Sequence, residues 1–317
     1  MKIKLITPAR ADAQNGNFVT ALRWARIIKG LGHRLTVQQH YDGKPCDLLI
    51  ALHALRSYDS IQSYRERHPE LPLIVVLTGT DLYRDIHRNP HAQQSLELAT
   101  CLIILQQKGF SELPRHLHRK TRVIYQSASR VNGTATKTNN TFQVCVIGHL
   151  RKEKDPFRTA LAARRLPASS RVRILHIGRA LNEEMKERAQ REHLHNPRYY
   201  WLGELPHRKT RQVLARSHLL SLTSKMEGSS NALSEAIASS VPVIASRIAG
   251  LMGTLGDNYP GYFPVGDTRA LARLLKRVES DPEYYLELKE RCTRLFPLVD
   301  PKQERESWKK LLRELSK

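Results

Sequence analysis

Cysteine, aromatic side chains and acidic residues are all scarce in this 317-residue chain, and no long hydrophobic run occurs in it. The four cysteines, Cys46, Cys101, Cys145 and Cys292, stand singly, with no Cys-x-x-Cys pair and no Cys/His metal spacing. This speaks against a disulfide framework or a zinc site and fits small core residues in a reducing cytoplasm. No stretch approaches the ~20 apolar residues of a membrane span. The first residues, MKIKLITPARADA, meet charge too soon for a signal peptide. Aromatics make up 6% and no basic-aromatic motif is present, so nucleic acid is a disfavoured partner. Walker A, G-x-G-x-x-G and G-x-S-x-G sequences are absent, which removes the usual signatures of kinases, ATPases, NAD enzymes and hydrolases. Acidic residues number 30 against 52 Lys and Arg, a formal charge of +22. Such a balance favours anionic partners, although about half of that weight is ordinary solvated surface.

What is present is a repeated strand–helix pattern. Apolar runs at Ile3–Thr7, Arg34–Gln38, Leu48–Leu52, Leu73–Leu77, Leu102–Leu105 and Val123–Tyr125 predict parallel strands covered on both faces. Phe18–Gly30 has helical apolar spacing and glycines to end it. The tract SASRVNGTATKTNNT at Ser127–Thr141 is polar and small, the best linker candidate. After it the alternation restarts at Phe142–Ile147. The length and pattern predict an α/β chain: an N-terminal Rossmann-like domain over 1–130, a linker over 131–141 and a second such domain over 142–300. A C-terminal helix over 301–317 is expected to pack back on the first domain. Ligands of such sheets bind at the strand C-terminal ends, here in the expected interdomain cleft.

Two segments carry the most specific chemistry. SKMEGSSNALSEA places Glu227 and Glu235 in an E-x7-E spacing across a strand-to-helix turn. The backbone N–H groups of Gly228, Ser229, Ser230 and Asn231 can meet a diphosphate there, and a carboxylate can accept from paired sugar hydroxyls. GHLRKEKDP follows the first strand of the second domain with Arg151 and Lys154, which could neutralise a pyrophosphate without a metal. No D-x-D pair, the usual sign of a metal-held nucleotide-sugar, occurs. Read alone, each segment could instead be a solvated helix start or charge run. The first domain adds Asn15-Gly16-Asn17 before the first helix, His53 after a strand, and Thr78-Gly79-Thr80-Asp81 after another, with Arg10 nearby. The last turn is also good turn chemistry.

The combined pattern resembles the GT-B glycosyltransferases, and EGSSNALSEAIASSVPVIAS resembles the donor-site stretch of the glycogen-synthase and mannosyltransferase branch. ITPARADAQNGN, DLLIALHALRS, VLTGTDLYRDI, GHLRKEKDP, WLGELPH, SKMEG and ASRIAGLMGTLGDNYPGYFPVGD, in that order, resemble the SenB selenosugar synthases of selenoneine biosynthesis. That resemblance implies transfer of a hexose or N-acetylhexosamine from a UDP-sugar, UDP-N-acetylglucosamine or UDP-glucose, to selenophosphate. It implies inversion at the sugar and no cofactor or metal. Glu235 would hold the ribose of UDP, Glu227 the hexose hydroxyls, and Arg151 and Lys154 the diphosphate, helped by Gly228, Ser229, Ser230 and Asn231. Arg10, Asn15, Gly16, Asn17, His53, Thr78, Gly79, Thr80 and Asp81 would face the acceptor, with Asp81 orienting a neighbour or capping a helix. The chain departs from the family at Ser229 and Ser230, where glycines are common, and at Ile248-Ala249-Gly250-Leu251, where Ile-Asp-Gly-Asn is common; both fall near the expected donor sugar. The alternatives are an O-glycosyltransferase with a carbohydrate or lipid acceptor, in weak contact with an acidic membrane, and a non-enzymatic polyanion binder.

Overall fold

A computed structural model describes residues 1–8, 16–131, 137–138 and 140–316. They fall into two compact units: Met1–Gln126 with Glu227–Ser230 and Pro301–Lys317, and Ser127–Met226 with Asn231–Asp300. No helix among the described residues is long and apolar enough to cross a membrane.

The first unit is built on β1 (Lys2–Ile6), β2 (Arg34–Gln38), β3 (Leu48–Leu52), β4 (Leu73–Val76), β5 (Cys101–Ile104) and β6 (Thr121–Val123). They form one sheet in the order β2-β1-β3-β4-β5-β6, with every pair parallel. The unbroken apolar sequence of β3 follows from its two covered faces. Leu48, Ile50 and Leu52 pack with Trp24 and Ile28 on one side, while Leu49 and Ala51 pack with Ile61 and Tyr64 on the other. The helix Pro301–Glu314 closes the first of these cores with Trp308, Leu311 and Leu312. Its buried Glu304 accepts from Trp24 Nε1 at 2.7 Å and Arg23 Nε at 3.0 Å, so a charge that is costly to bury is both paired and hydrogen-bonded. β6 ends earlier than the apolar run around it suggests. Thr121 enters the strand by pairing with Leu102 of β5, and its hydroxyl donates to the Leu117 carbonyl at 2.8 Å.

The second unit repeats the plan with β7 (Phe142–Ile147), β8 (Val172–Ile177), β9 (Tyr199–Trp201), β10 (Leu219–Leu222), β11 (Val243–Ser246) and β12 (Tyr262–Phe263). The order is β12-β11-β10-β7-β8-β9, again all parallel. In each sheet the strand order reverses once, between β1 and β3 and between β7 and β10. Loops leaving such a reversal splay apart and leave room for a ligand. The segments following β3, β7 and β10 are where the sequence carries His53, Arg151 with Lys154, and Glu227.

Candidate active site

In the second unit the two loops at the reversal brace one another. The Thr223 hydroxyl, just past β10, bonds the carbonyls of Lys154 and Asp155 at 2.9 and 3.0 Å. Lys225 N–H donates to the Glu153 carbonyl at 2.8 Å. The 3₁₀ turn Lys152–Lys154 ends at Asp155 in the left-handed region, φ 44°, where its carboxylate accepts from Arg158 Nε at 2.7 Å. In this turn Arg151 and Lys152 are exposed and Lys154 is half-buried. Gly148, Lys154, Thr223 and Ser224 line a small depression there.

Beneath this turn lies His176, fully buried on β8. Its Nε2–H donates to the Gly148 carbonyl at 3.2 Å, and its Nδ1 accepts from the Tyr199 hydroxyl at 2.8 Å. Burial depresses its pKa to about 4 and so keeps the ring neutral. Gly178 passes so close that a Cβ would stand 2.0 Å from the Gly148 oxygen, a fit that only glycine permits.

Glu235 sits in the helix Asn231–Ala238 and is buried at 7% exposure. One of its oxygens accepts from His207 Nε2 at 2.6 Å, with the imidazole itself open to solvent. Burial pushes the neighbouring Cys145 thiol up to about 12, and the Glu235 charge adds to it. Ala249 opens the helix Ala249–Leu255, which has no side-chain cap from Ile248.

The segment Glu227–Ser230 groups with the first unit. There Gly228 lies against the Thr78 carbonyl, 1.6 Å from where its Cβ would stand, and a Cβ on Gly79 would be 3.1 Å from the Gly228 nitrogen. Close approach of the two backbones thus requires glycine at 228, while a Cβ at 79 would be tight. Glu227 is buried and Ser229 partly exposed.

The Thr78–Asp81 turn is organised from its far end. Asp81 is 0% exposed. Its Oδ1 accepts from Thr78 N, Thr78 Oγ1 and Gly79 N at 2.8–3.1 Å, and its Oδ2 from Ala54 N at 3.0 Å. Asp81, expected to orient a neighbour or cap a helix on the acceptor side, gives its carboxylate to the protein's own donors at Thr78, Gly79 and Ala54. His53, after β3, has φ 76° and is 1% exposed, a conformation that costs a non-glycine residue about 1–2 kcal/mol. Its Nε2 lies 3.0 Å from Thr80 Oγ1 and 3.7 Å from Asp85 Oδ2.

Gly16 and Asn17 belong to the first turn of the helix Gly16–Lys29 rather than to the loop before it. Thr20, buried, donates its hydroxyl to the Gly16 carbonyl one turn back at 2.8 Å. Arg10 and Asn15 lie outside the described residues, as do positions 132–136 and 139 of the expected linker. His207 and Asp85 lie within the segments WLGELPH and VLTGTDLYRDI but carry no role of their own there, and His176 lies in no motif. Among the described residues no cluster of three or more His, Cys, Asp or Glu is placed to hold a metal ion.

The model of the family described as Glycosyl transferases group 1 matches residues 132–294, just over half of the chain. Among solved structures, the chain is similar to HepE from Anabaena in complex with UDP, with a TM-score of 0.76 at 16% identity over 99% of this chain and 100% of that one. The same protein in complex with UDP-glucose gives a TM-score of 0.75 at 14% identity, over 99% and 100% of the two chains. Sucrose-phosphate synthase from Thermosynechococcus elongatus gives 0.78 at 16% identity, over 99% and 98%. These likenesses and the two six-stranded parallel sheets make the fold GT-B, with two Rossmann-like domains. The chain belongs to the glycosyl transferases group 1 family, and it is a glycosyltransferase.

Proposed function

We propose that this glycosyltransferase moves a hexose or N-acetylhexosamine from a UDP-sugar to selenophosphate. The bond from the sugar C1 to the diphosphate oxygen breaks, UDP leaves with the electron pair, and a selenium lone pair forms the C–Se bond with inversion. Selenophosphate is already anionic and polarisable, so the protein's work is to position two anions and stabilise the departing diphosphate. The observation that carries this reading is the bracing of the Arg151–Lys154 turn by Thr223 and Lys225, at the strand-order reversal. It holds two cations where a diphosphate would bind. Glu235, fixed by His207, is the carboxylate for a ribose, and UDP and UDP-glucose are bound by HepE, which shares the fold. The two cations supply the charge a metal would otherwise bring, so turnover needs no divalent ion. The order of segments from ITPARADAQNGN to the Gly250 region supports the selenium acceptor.

The test is incubation of the purified protein with UDP-glucose or UDP-N-acetylglucosamine and selenophosphate, in chelator. UDP should be released and a seleno-sugar should appear by mass spectrometry, with thiophosphate reacting more slowly. Turnover of a carbohydrate or lipid acceptor, with none of selenophosphate, would instead make the chain an O-glycosyltransferase.

A further inference from the structure

The first unit contains two threonines in one turn whose hydroxyls have opposite fates. Thr78 Oγ1 donates its proton to Asp81 Oδ1 at 3.1 Å. Thr80 Oγ1 has one hydrogen-bond partner among the described residues, His53 Nε2 at 3.0 Å. Which of the two atoms donates depends on the tautomer of His53, and two separate contacts fix it. Nδ1 lies 3.3 Å from the Arg56 backbone N–H, a group that can only donate, so Nδ1 keeps its lone pair. On the other side, Asp85 Oδ2 stands 3.7 Å from Nε2. Asp85 is buried, its Oδ1 is bound by Arg84 Nε at 2.8 Å, and its Oδ2 makes no hydrogen bond. A carboxylate oxygen facing a ring nitrogen favours a proton there and would repel a second lone pair. Nε2 therefore carries the proton and donates it to Thr80.

A hydroxyl that accepts from His53 has its own proton to give elsewhere. Thr80 is partly exposed, and no protein acceptor takes that proton among the described residues. We propose that His53 is a positioning residue of the acceptor site: held by Arg56 and Asp85, it turns the Thr80 hydroxyl into an outward donor to an anionic oxygen of the acceptor. The inference rests on the phosphate-bearing acceptor proposed above and divides labour within the turn. Thr78 is structural, and Thr80 meets the ligand. It also gives the left-handed backbone at His53 a use, since the ring must reach back between Arg56 and Thr80. It makes His53 a poor general base, because Nε2 is already protonated, and a pre-ionised acceptor needs no base.

The test reads acceptor affinity in two ways. Thr80→Val should raise the KM for selenophosphate roughly 10- to 150-fold, the worth of one hydrogen bond to a charged group, without changing UDP affinity. Thr80→Ser should keep most of it. His53→Gln, whose amide N–H can still reach Thr80, should restore most of the acceptor affinity that His53→Met loses. A merely structural role would destabilise the Gln and Met variants alike without that split. In parallel, thiophosphate titrated onto UDP-saturated protein should bind more weakly to Thr80→Val than to the parent. This readout survives if selenophosphate is not turned over, in which case the proposed reaction fails and the positioning role is still decided. Nitrogen-15 NMR of the imidazole should report the Nε2–H tautomer at His53. An Nδ1–H tautomer, or equal thiophosphate affinity in Thr80→Val and the parent, would overturn the proposal.

Discussion

The turns after β4 and after β7 sit at the same end of their sheets, yet they are held in different ways. After β4, a buried carboxylate gathers donors: Asp81 takes three backbone N–H groups and one hydroxyl. After β7, a hydroxyl gathers acceptors: Thr223 bonds two carbonyls, and His176 supports a third from below. A turn built around an internal negative charge consumes donors and presents what is left over, here the Thr80 hydroxyl. A turn braced through its carbonyls spends backbone acceptors instead, and it carries Arg151 exposed and Lys154 half-buried. Under the proposed reaction, the difference would set one neutral donor for a small anion against two cations for a diphosphate.

The largest effect is expected on the first turn. Asp81→Ala strips a fully buried acceptor from four donors; stranding the buried Ala54 N–H costs about 1–3 kcal/mol and the three part-buried donors up to about 1 kcal/mol each, about 4 kcal/mol in all. Urea unfolding would measure it. Asp81→Asn should recover part of the loss, since its carbonyl oxygen can still accept.

Next in size is the pH response of the second turn. His176 has a pKa of about 4 in the folded chain against 6.5 when free. Below pH 6.5 the unfolded chain takes up a proton that the folded one refuses. The stability due to the neutral ring is therefore whole above 6.5 and is lost progressively down to about 4, by up to about 3 kcal/mol. Urea melts at pH 7.5, 5.5 and 4.5 should show that slope in the parent and lack this share of it in His176→Gln. Identical slopes would mean that His176 does not titrate against folding.

Smaller again is Thr223→Val. One hydroxyl shared between two carbonyls is worth about 1 kcal/mol, so the fold should hold while the KM for the UDP-sugar rises severalfold as the Arg151–Lys154 turn loosens. An unchanged KM would show that the bracing does not position the cations.

Much of this architecture is legible in the residues themselves. The runs at Leu48–Leu52 and Phe142–Ile147 are strands because covered parallel sheets need near-continuous apolar side chains, and the structure has them at those positions. Glu235 falls inside its helix because the Gly228–Ser230 turn precedes it in the sequence. What could not be read are partnerships across long separations. His207 and Glu235 are 28 residues apart and His53 and Thr80 27, and no period links them. Thr78 and Thr80 are equivalent in sequence; only the position of Asp81 tells them apart. The helix start at Gly16 is not legible in the sequence because glycine is a poor helix former.

In the proposed reaction, nucleotide recognition belongs to the second turn's neighbourhood and acceptor recognition to the first. Calorimetric titration of UDP into the parent, Glu235→Gln and Thr80→Val tests it most directly. Loss of a charge-assisted bond to the ribose should weaken UDP by roughly 10- to 150-fold in Glu235→Gln, while Thr80→Val binds UDP as the parent does. Parental UDP affinity in Glu235→Gln, or a comparable loss in Thr80→Val, would contradict this division of labour.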